Sequence, residues 1–135
     1  MPGETHLNTL LATLKPELQN GEYVFCTLAE AINVDLTEAV CTFREKEGLS
    51  VILPREVADK QHVKYSFIAS WITLNVYSSL EATGLTATIS KALADENISC
   101  NAVAAFYHDH VFVAREDAER AMEVLKMLHE KFREI

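Results

Sequence analysis

The feature that most restricts the fold is the order of hydrophobic periods between residue 72 and the last helix. Residues 72–76 (ITLNV) have the β-branched, apolar character of a strand, and a polar loop over 77–84 follows. Helical spacing then places Ile89, Ala92 and Leu93 on one side of a helix over 86–96, with Leu85 just before it. Thr88, Lys91 and Asp95 fall on the other side. Asn97 suits a left-handed C-terminal cap. Period-two alternation resumes over 98–106: Ile98, Cys100, Ala102, Ala104 and Phe106 share one face, and Ser99, Asn101, Val103 and Ala105 the other. Residues 107–110 form a hairpin tip and 111–114 return. A final helix over 115–132 stacks Ala118, Ala121, Met122, Leu125, Leu128, His129 and Phe132 on one stripe, with Glu116, Asp117 and Glu119 at its positive end. β-α-β-β-α with connections this short puts both helices on one face of one small sheet, an α+β arrangement.

The first half echoes that order. Leu7, Leu10, Leu11 and Leu14 mark a helix that Pro16 and Gly21 end, and residues 22–28 (EYVFCTL) read as a strand. Residues 29–37 are open to either a helical turn or a loop. A hairpin pairs 38–44 with 49–53 across a charged turn ending in Gly48, and Pro54 opens a short helix over 55–60. The β-like run 64–77 exceeds normal strand length, so it is either one bent strand or two meeting near Ala69 and Ser70. Two units follow, residues 1–63 and 64–135, alike in element order. The first lacks its opening strand and the second its closing one, and packing together supplies both.

Composition narrows the function classes. A chain of 135 residues, about half of them apolar, builds a core without staples. A net charge of -8 argues against a nucleic-acid partner, whose affinity comes from Lys and Arg. No stretch is apolar for long enough to span a membrane, and the N-terminus lacks the pattern of a secretory signal. Cys26, Cys41 and Cys100 lie in apolar segments and are odd in number, which points to reduced thiols and a cytoplasmic setting. There is no phosphate-cradling loop, nucleophile elbow, zinc-protease helix or dinucleotide glycine pattern, so no cofactor and no catalytic role are expected.

The loop before the central helix is the candidate site. Ser79, Leu80, Glu81, Thr83, Gly84 and Leu85 lead into a helix N-terminus, where free N–H groups favour a carboxylate. Glu81 would meet an ammonium, and Ser99 and Asn101 would approach from the next strand. The plainer alternative is a solvated turn capped by Thr83 or Ser79. His108, Asp109 and His110 read better as a polar tip than as a metal site, and His129 as a packed histidine.

The run LNVYSSLEATGLTATISKALADENISCNAV, with Gly84-Leu85, Ala87, Ile89, Ala92 and Leu93, and the helix start at residues 117–121, resembles the ACT domain. The likeness is most specific over 72–132, and it is nearest to the ACT repeats of aspartate kinase regulatory regions. It implies two ferredoxin-like βαββαβ units and a non-enzymatic regulatory protein binding a small metabolite, an amino acid, through the loop residues above. Thr83 stands where the family often has proline. Ser99 stands where relatives place an asparagine against the bound amino acid. Exposed sheet edges add the expectation of a homodimer. The alternative is a ligand-free platform for protein–protein interaction.

Overall fold

The computed structural model describes residues 6–29, 33–76 and 83–133. Helix α1 (Leu7–Thr13) is followed by strands β1 (Lys15–Leu18), β2 (Tyr23–Leu28), β3 (Cys41–Glu45) and β4 (Gly48–Pro54). Then come helix α2 (Arg55–Lys60), strand β5 (Ile68–Asn75) and helix α3 (Leu85–Asp95). The hairpin β6 (Asn101–Ala104) and β7 (Asp109–Ala114) and a 3₁₀ turn lead into helix α4 (Ala118–Arg133). The fold is α+β and ferredoxin-like, as the element order requires.

Contacts divide the chain into two compact units: residues 1–19 with 71–135, and residues 20–70. The discontinuous unit orders its strands β1-β5-β7-β6. Its β-α-β-β-α run is completed by a fourth strand from the N-terminus, with Lys15 opposite Asn75 and Leu18 opposite Ile72. Helix α1 comes along with β1, and Leu10, Leu11 and Leu14 join Ile72, Leu74, Ile89, Leu93, Val113 and Leu125 in one buried core. Burying each such side chain is worth roughly 1.5–3 kcal/mol. This core therefore depends on a segment far from it in sequence.

The continuous unit repeats the plan as β3-β4-β2 followed by the start of β5, where Tyr23 pairs with Ala69 and Val24 with Ile68. Val24, Cys26, Val51, Leu53, Val57 and Ala58 fill its core. Residues 33–40 form no helix where the other unit has α3. Instead, the Gln61 side-chain amide clamps the Asp35 backbone, accepting from its N–H at 2.6 Å and donating to its carbonyl at 3.1 Å. Aligning the units by element also reveals a sequence repeat that a linear reading misses. VILPREVADK at β4–α2 matches VFVAREDAER at β7–α4, sharing Val51/Val111, Arg55/Arg115, Glu56/Glu116 and Ala58/Ala118.

Some elements differ from expectation. Residues 68–75 form a single strand, and the unit boundary falls within it, between Ser70 and Trp71. β1 was not foreseen, because Pro16 reads as a helix stop, yet proline is tolerated in an outer strand. β6 begins at Asn101 and not at Ile98, and Ala102 and Ala104 are exposed while Ile98 is buried. The expected modules, 1–63 and 64–135, follow chain order; the compact units follow contacts, which transfer residues 1–19.

Candidate functional site

Of the loop residues singled out from sequence, Ser79, Leu80 and Glu81 lie outside the described residues. Thr83, Gly84 and Leu85 form the corner leading into α3. Gly84 is the N-cap at φ 91°, in the left-handed region, and among the described residues no side chain caps the helix. The Gly84 carbonyl accepts from the Thr88 N–H at 2.9 Å, and Leu85 is buried below it. Gly84 itself thus offers the first-turn N–H groups no side-chain acceptor of the kind that Ser, Thr or Asp would supply at the cap position. Leu7 of α1 packs against the same corner: a Cβ on Gly84 would lie 3.3 Å from Leu7 Cδ2.

Ser99 and Asn101 are both exposed, and Asn101 donates from Nδ2 to the Phe112 carbonyl at 3.4 Å. They follow the C-terminal end of α3, where Asn97 takes a left-handed φ of 60° and Ile98 N–H bonds back to Leu93 O. Eleven helical residues, about 16 Å at 1.5 Å per residue, run between the two groups. Within this unit Gly84 and Ser99 therefore stand at opposite ends of α3.

The structure also assembles a polar cluster that the sequence did not announce. On the sheet face away from the helices, Gln19 Nε2 donates to Thr73 Oγ1 at 2.9 Å, and Thr73 Oγ1 lies 3.1 Å from His110 Nδ1. Trp71 Nε1 donates to the same nitrogen at 3.0 Å, and its ring stacks on Phe112 at 6.0 Å. An indole N–H only donates, so His110 Nδ1 is the acceptor and the ring is neutral in this arrangement. Burial, and then the neighbouring His108, lower the His110 pKa, with Asp109 opposing them. The available signal was the alternation of Trp71, Thr73, His110 and Phe112 with core residues on β5 and β7.

A second feature lies in the continuous unit. Arg55, the first residue of α2, donates to Glu22 at 2.8 Å and to Tyr65 Oη at 3.0 Å. It borders a cleft of about 600 Å³ lined also by Asn20, Tyr23, Glu56 and Asp59. Glu22 and then Tyr65 raise the Arg55 pKa further, so the guanidinium is a permanent, already partnered charge. The other charged residues on the cleft wall, Glu22, Glu56 and Asp59, are acidic.

The remaining candidates fall to structural roles. Among the described residues no group of three or more His, Cys, Asp or Glu side chains is placed to hold a metal. His129 Nδ1 sits 3.3 Å from the Leu11 carbonyl between α4 and α1. All three cysteines are free, and burial raises the thiol pKa of Cys26 and Cys100, which disfavours the reactive thiolate. No described helix is long and apolar enough to cross a membrane.

With this geometry in view, comparison with known proteins places the chain. Two ACT-domain family models match in tandem, one over residues 2–70 and the other over residues 66–127. The protein belongs to the ACT-domain family, whose tandem domains are regulatory, ligand-binding modules. It is 42% identical to a Vibrio cholerae protein of unknown function, described as a possible transport protein, across 91% of this chain and 95% of that one, with a TM-score of 0.78. An Agrobacterium tumefaciens protein shares the fold at 18% identity, with coverage of 86% and 89% and a TM-score of 0.70. The regulatory subunit of Thermus flavus aspartate kinase shares it at 8% identity, with coverage of 95% and 99% and a TM-score of 0.54. No functionally curated protein matches the sequence.

Proposed function

We propose that this protein is a non-enzymatic sensor that binds an amino acid and works as a homodimer in the cytoplasm. The observation that carries the reading is the Gly84 corner. A left-handed glycine cap supplies no side-chain acceptor of its own to the first-turn amides of an eleven-residue helix. That combination of N–H groups and helix dipole suits a carboxylate. Glu81 is assigned the ammonium. Ser99 and Asn101, at the far end of α3, are assigned to a ligand only where they meet the Gly84 corner of another copy. Regulation then follows from differential affinity: a ligand that binds one arrangement of the protein better increases its population, and a partner reads the change.

A thermal-shift screen of the purified protein against the proteinogenic amino acids tests this. An amino acid present at about a hundred times its dissociation constant adds roughly 2.7 kcal/mol of apparent stability. The Glu81→Ala variant is expected to keep the ligand-free melting temperature and lose the shift. One observation favours a second reading, a ligand-free interaction platform: Leu7 packs directly against Gly84. If no amino acid moves the melting temperature, the platform reading replaces the sensor.

A further inference from the structure

Charge is spread unevenly over the clefts of this chain. The cleft beside Arg55 carries three carboxylates, and so do the one that Gln61 borders and the one between α3 and α4. A cleft of about 430 Å³ where α1 turns into β1 beside α4 carries none. Thr13, Leu14, Lys15, Pro16, Lys126 and His129 line it, and all six belong to the discontinuous unit. Among the described residues, neither Lys15 nor Lys126 is in an ion pair. The carboxylates near them in sequence are engaged elsewhere. Glu17 accepts from Asn75 Nδ2 at 3.0 Å, Glu130 accepts from Arg133 at 2.7 Å, and Glu123 borders the α3–α4 cleft. In a chain of net charge -8, a concave site walled by bases alone focuses a local positive potential.

The backbone beside this cleft is also quenched as a source of negative charge. Carbonyls at a helix C-terminus ordinarily repel an anion. Here Thr13 Oγ1 donates to the Thr9 and Leu10 carbonyls at 3.1 and 3.2 Å, and Leu14 N–H donates to Leu11 O at 3.3 Å. His129 Nδ1 lies 3.3 Å from the same Leu11 oxygen. A carbonyl only accepts, so His129 carries a proton on Nδ1. That contact fixes the tautomer and leaves Nε2 with no hydrogen-bond partner among the described residues. Nε2 accepts when the ring is neutral and donates when it is charged. A phosphate monoester answers both states: its second ionisation falls near pH ~6, so it presents either a P–OH or acceptor oxygens alone. An ionised carboxylate offers acceptors only, and so matches the charged ring alone.

We propose that the α1–α4 cleft is a second ligand site, and that it takes a small phosphate monoester. Lys15 and Lys126, both exposed and on flexible stems, supply the charge. His129 Nε2 supplies the directed hydrogen bond, and Leu14 and Pro16 give the ester's carbon body an apolar wall. The volume lies within the range of roughly 300–1,000 Å³ usual for small-molecule sites. This site goes beyond the amino-acid reading and uses nothing of the Gly84 corner. Its walls come from two segments that meet only in the folded chain, residues 13–16 and α4. A bound phosphate therefore ties the N-terminal segment to the unit it completes, and raises the stability of that unit by mass action.

Calorimetric titration of the full chain with phenyl phosphate, inorganic phosphate and sulfate, at an ionic strength held constant with chloride, tests this. Phenyl phosphate is expected to bind saturably at one site per chain, more tightly than inorganic phosphate, with sulfate weakest. Lys126→Gln and His129→Gln are each expected to weaken phenyl phosphate about fivefold or more. Lys126 is exposed, and a glutamine at 129 still offers an N–H to the Leu11 carbonyl, so both variants are expected to fold. Lys91→Gln, which removes a lysine already paired with Asp95, and Glu81→Ala are expected to leave the affinity unchanged. In a proton–carbon spectrum of the imidazoles, the resonance missing from His129→Gln is expected to move as phenyl phosphate is added. No saturable binding of phenyl phosphate would overturn the site. Equal losses in Lys91→Gln and Lys126→Gln would reduce it to diffuse attraction. A stationary His129 resonance, or sulfate binding as tightly as phosphate, would overturn the role of Nε2. Inorganic phosphate binding as tightly as the ester would overturn the choice of a monoester. Loss of binding in Glu81→Ala would move the ligand to the Gly84 loop.

Discussion

Gly84 holds a backbone angle, φ 91°, at which an L side chain is strained, and a Cβ there would crowd Leu7 Cδ2 at 3.3 Å. Gly84→Ala is therefore expected to cost about 1–3 kcal/mol, read as a lower urea midpoint at unchanged slope. Adding Leu7→Ala removes the contact at 3.3 Å but not the strain, so the double variant separates the two contributions. His110 makes the matching electrostatic case. Its Nδ1 accepts from Trp71 and therefore must be unprotonated. Its pKa lies below the ordinary imidazole value of 6.5, chiefly through burial. Below that value the unfolded chain takes up the proton before the folded one does. The stability contribution is thus full above about pH 6.5 and is lost as the pH falls toward the folded pKa. Because the chain has one tryptophan, Trp71, its fluorescence reports this step directly. A transition with a midpoint below 6.5 that is absent in His110→Gln is expected.

At the scale of elements, what the sequence revealed depended on how local each signal was. Helix α2 falls on the residues its pattern marks, because Pro54 fixes φ where the helix begins and its own N–H is not needed there. Helices α3 and α4 were equally plain, since each carries an apolar stripe long enough to specify its face. β1 was hidden because its meaning lies in a partner about sixty residues away: Lys-Pro-Glu-Leu becomes a strand only beside residues 72–75. The candidate site was legible to the same degree. Gly84 before Leu85 signalled the turn, and the helix that follows already set Ser99 at its far end, but alternation in residues 98–106 does not show where the strand begins. It also does not say that β6 lacks an outer neighbour among the described residues. The Gln19, Thr73 and His110 network joins three separate strand regions and left no mark in any single window.

For the whole molecule, the division by contacts carries its own expectation. A fragment of residues 64–135 holds a nearly complete ACT domain in sequence but lacks α1 and β1, and so leaves uncovered the surface that Leu10, Leu11 and Leu14 bury. It is expected to show little cooperative unfolding and to aggregate. Attaching residues 1–19 after residue 135 through a flexible glycine-serine tether is expected to restore a cooperative transition. If the bare fragment already melts as sharply as the full chain, the N-terminal segment is dispensable to that core.

The same layout has a consequence during synthesis. The leucine-rich helix α1 leaves the ribosome about a hundred residues ahead of α4, against which it packs. At roughly 5–20 residues per second, that is an interval of about five to twenty seconds. Residues 20–70 hold all the strands of their own sheet and can settle meanwhile. Helix α1 then docks after segments made later than itself, and until it does a nascent chain displays the apolar stretch that holdase chaperones recognise.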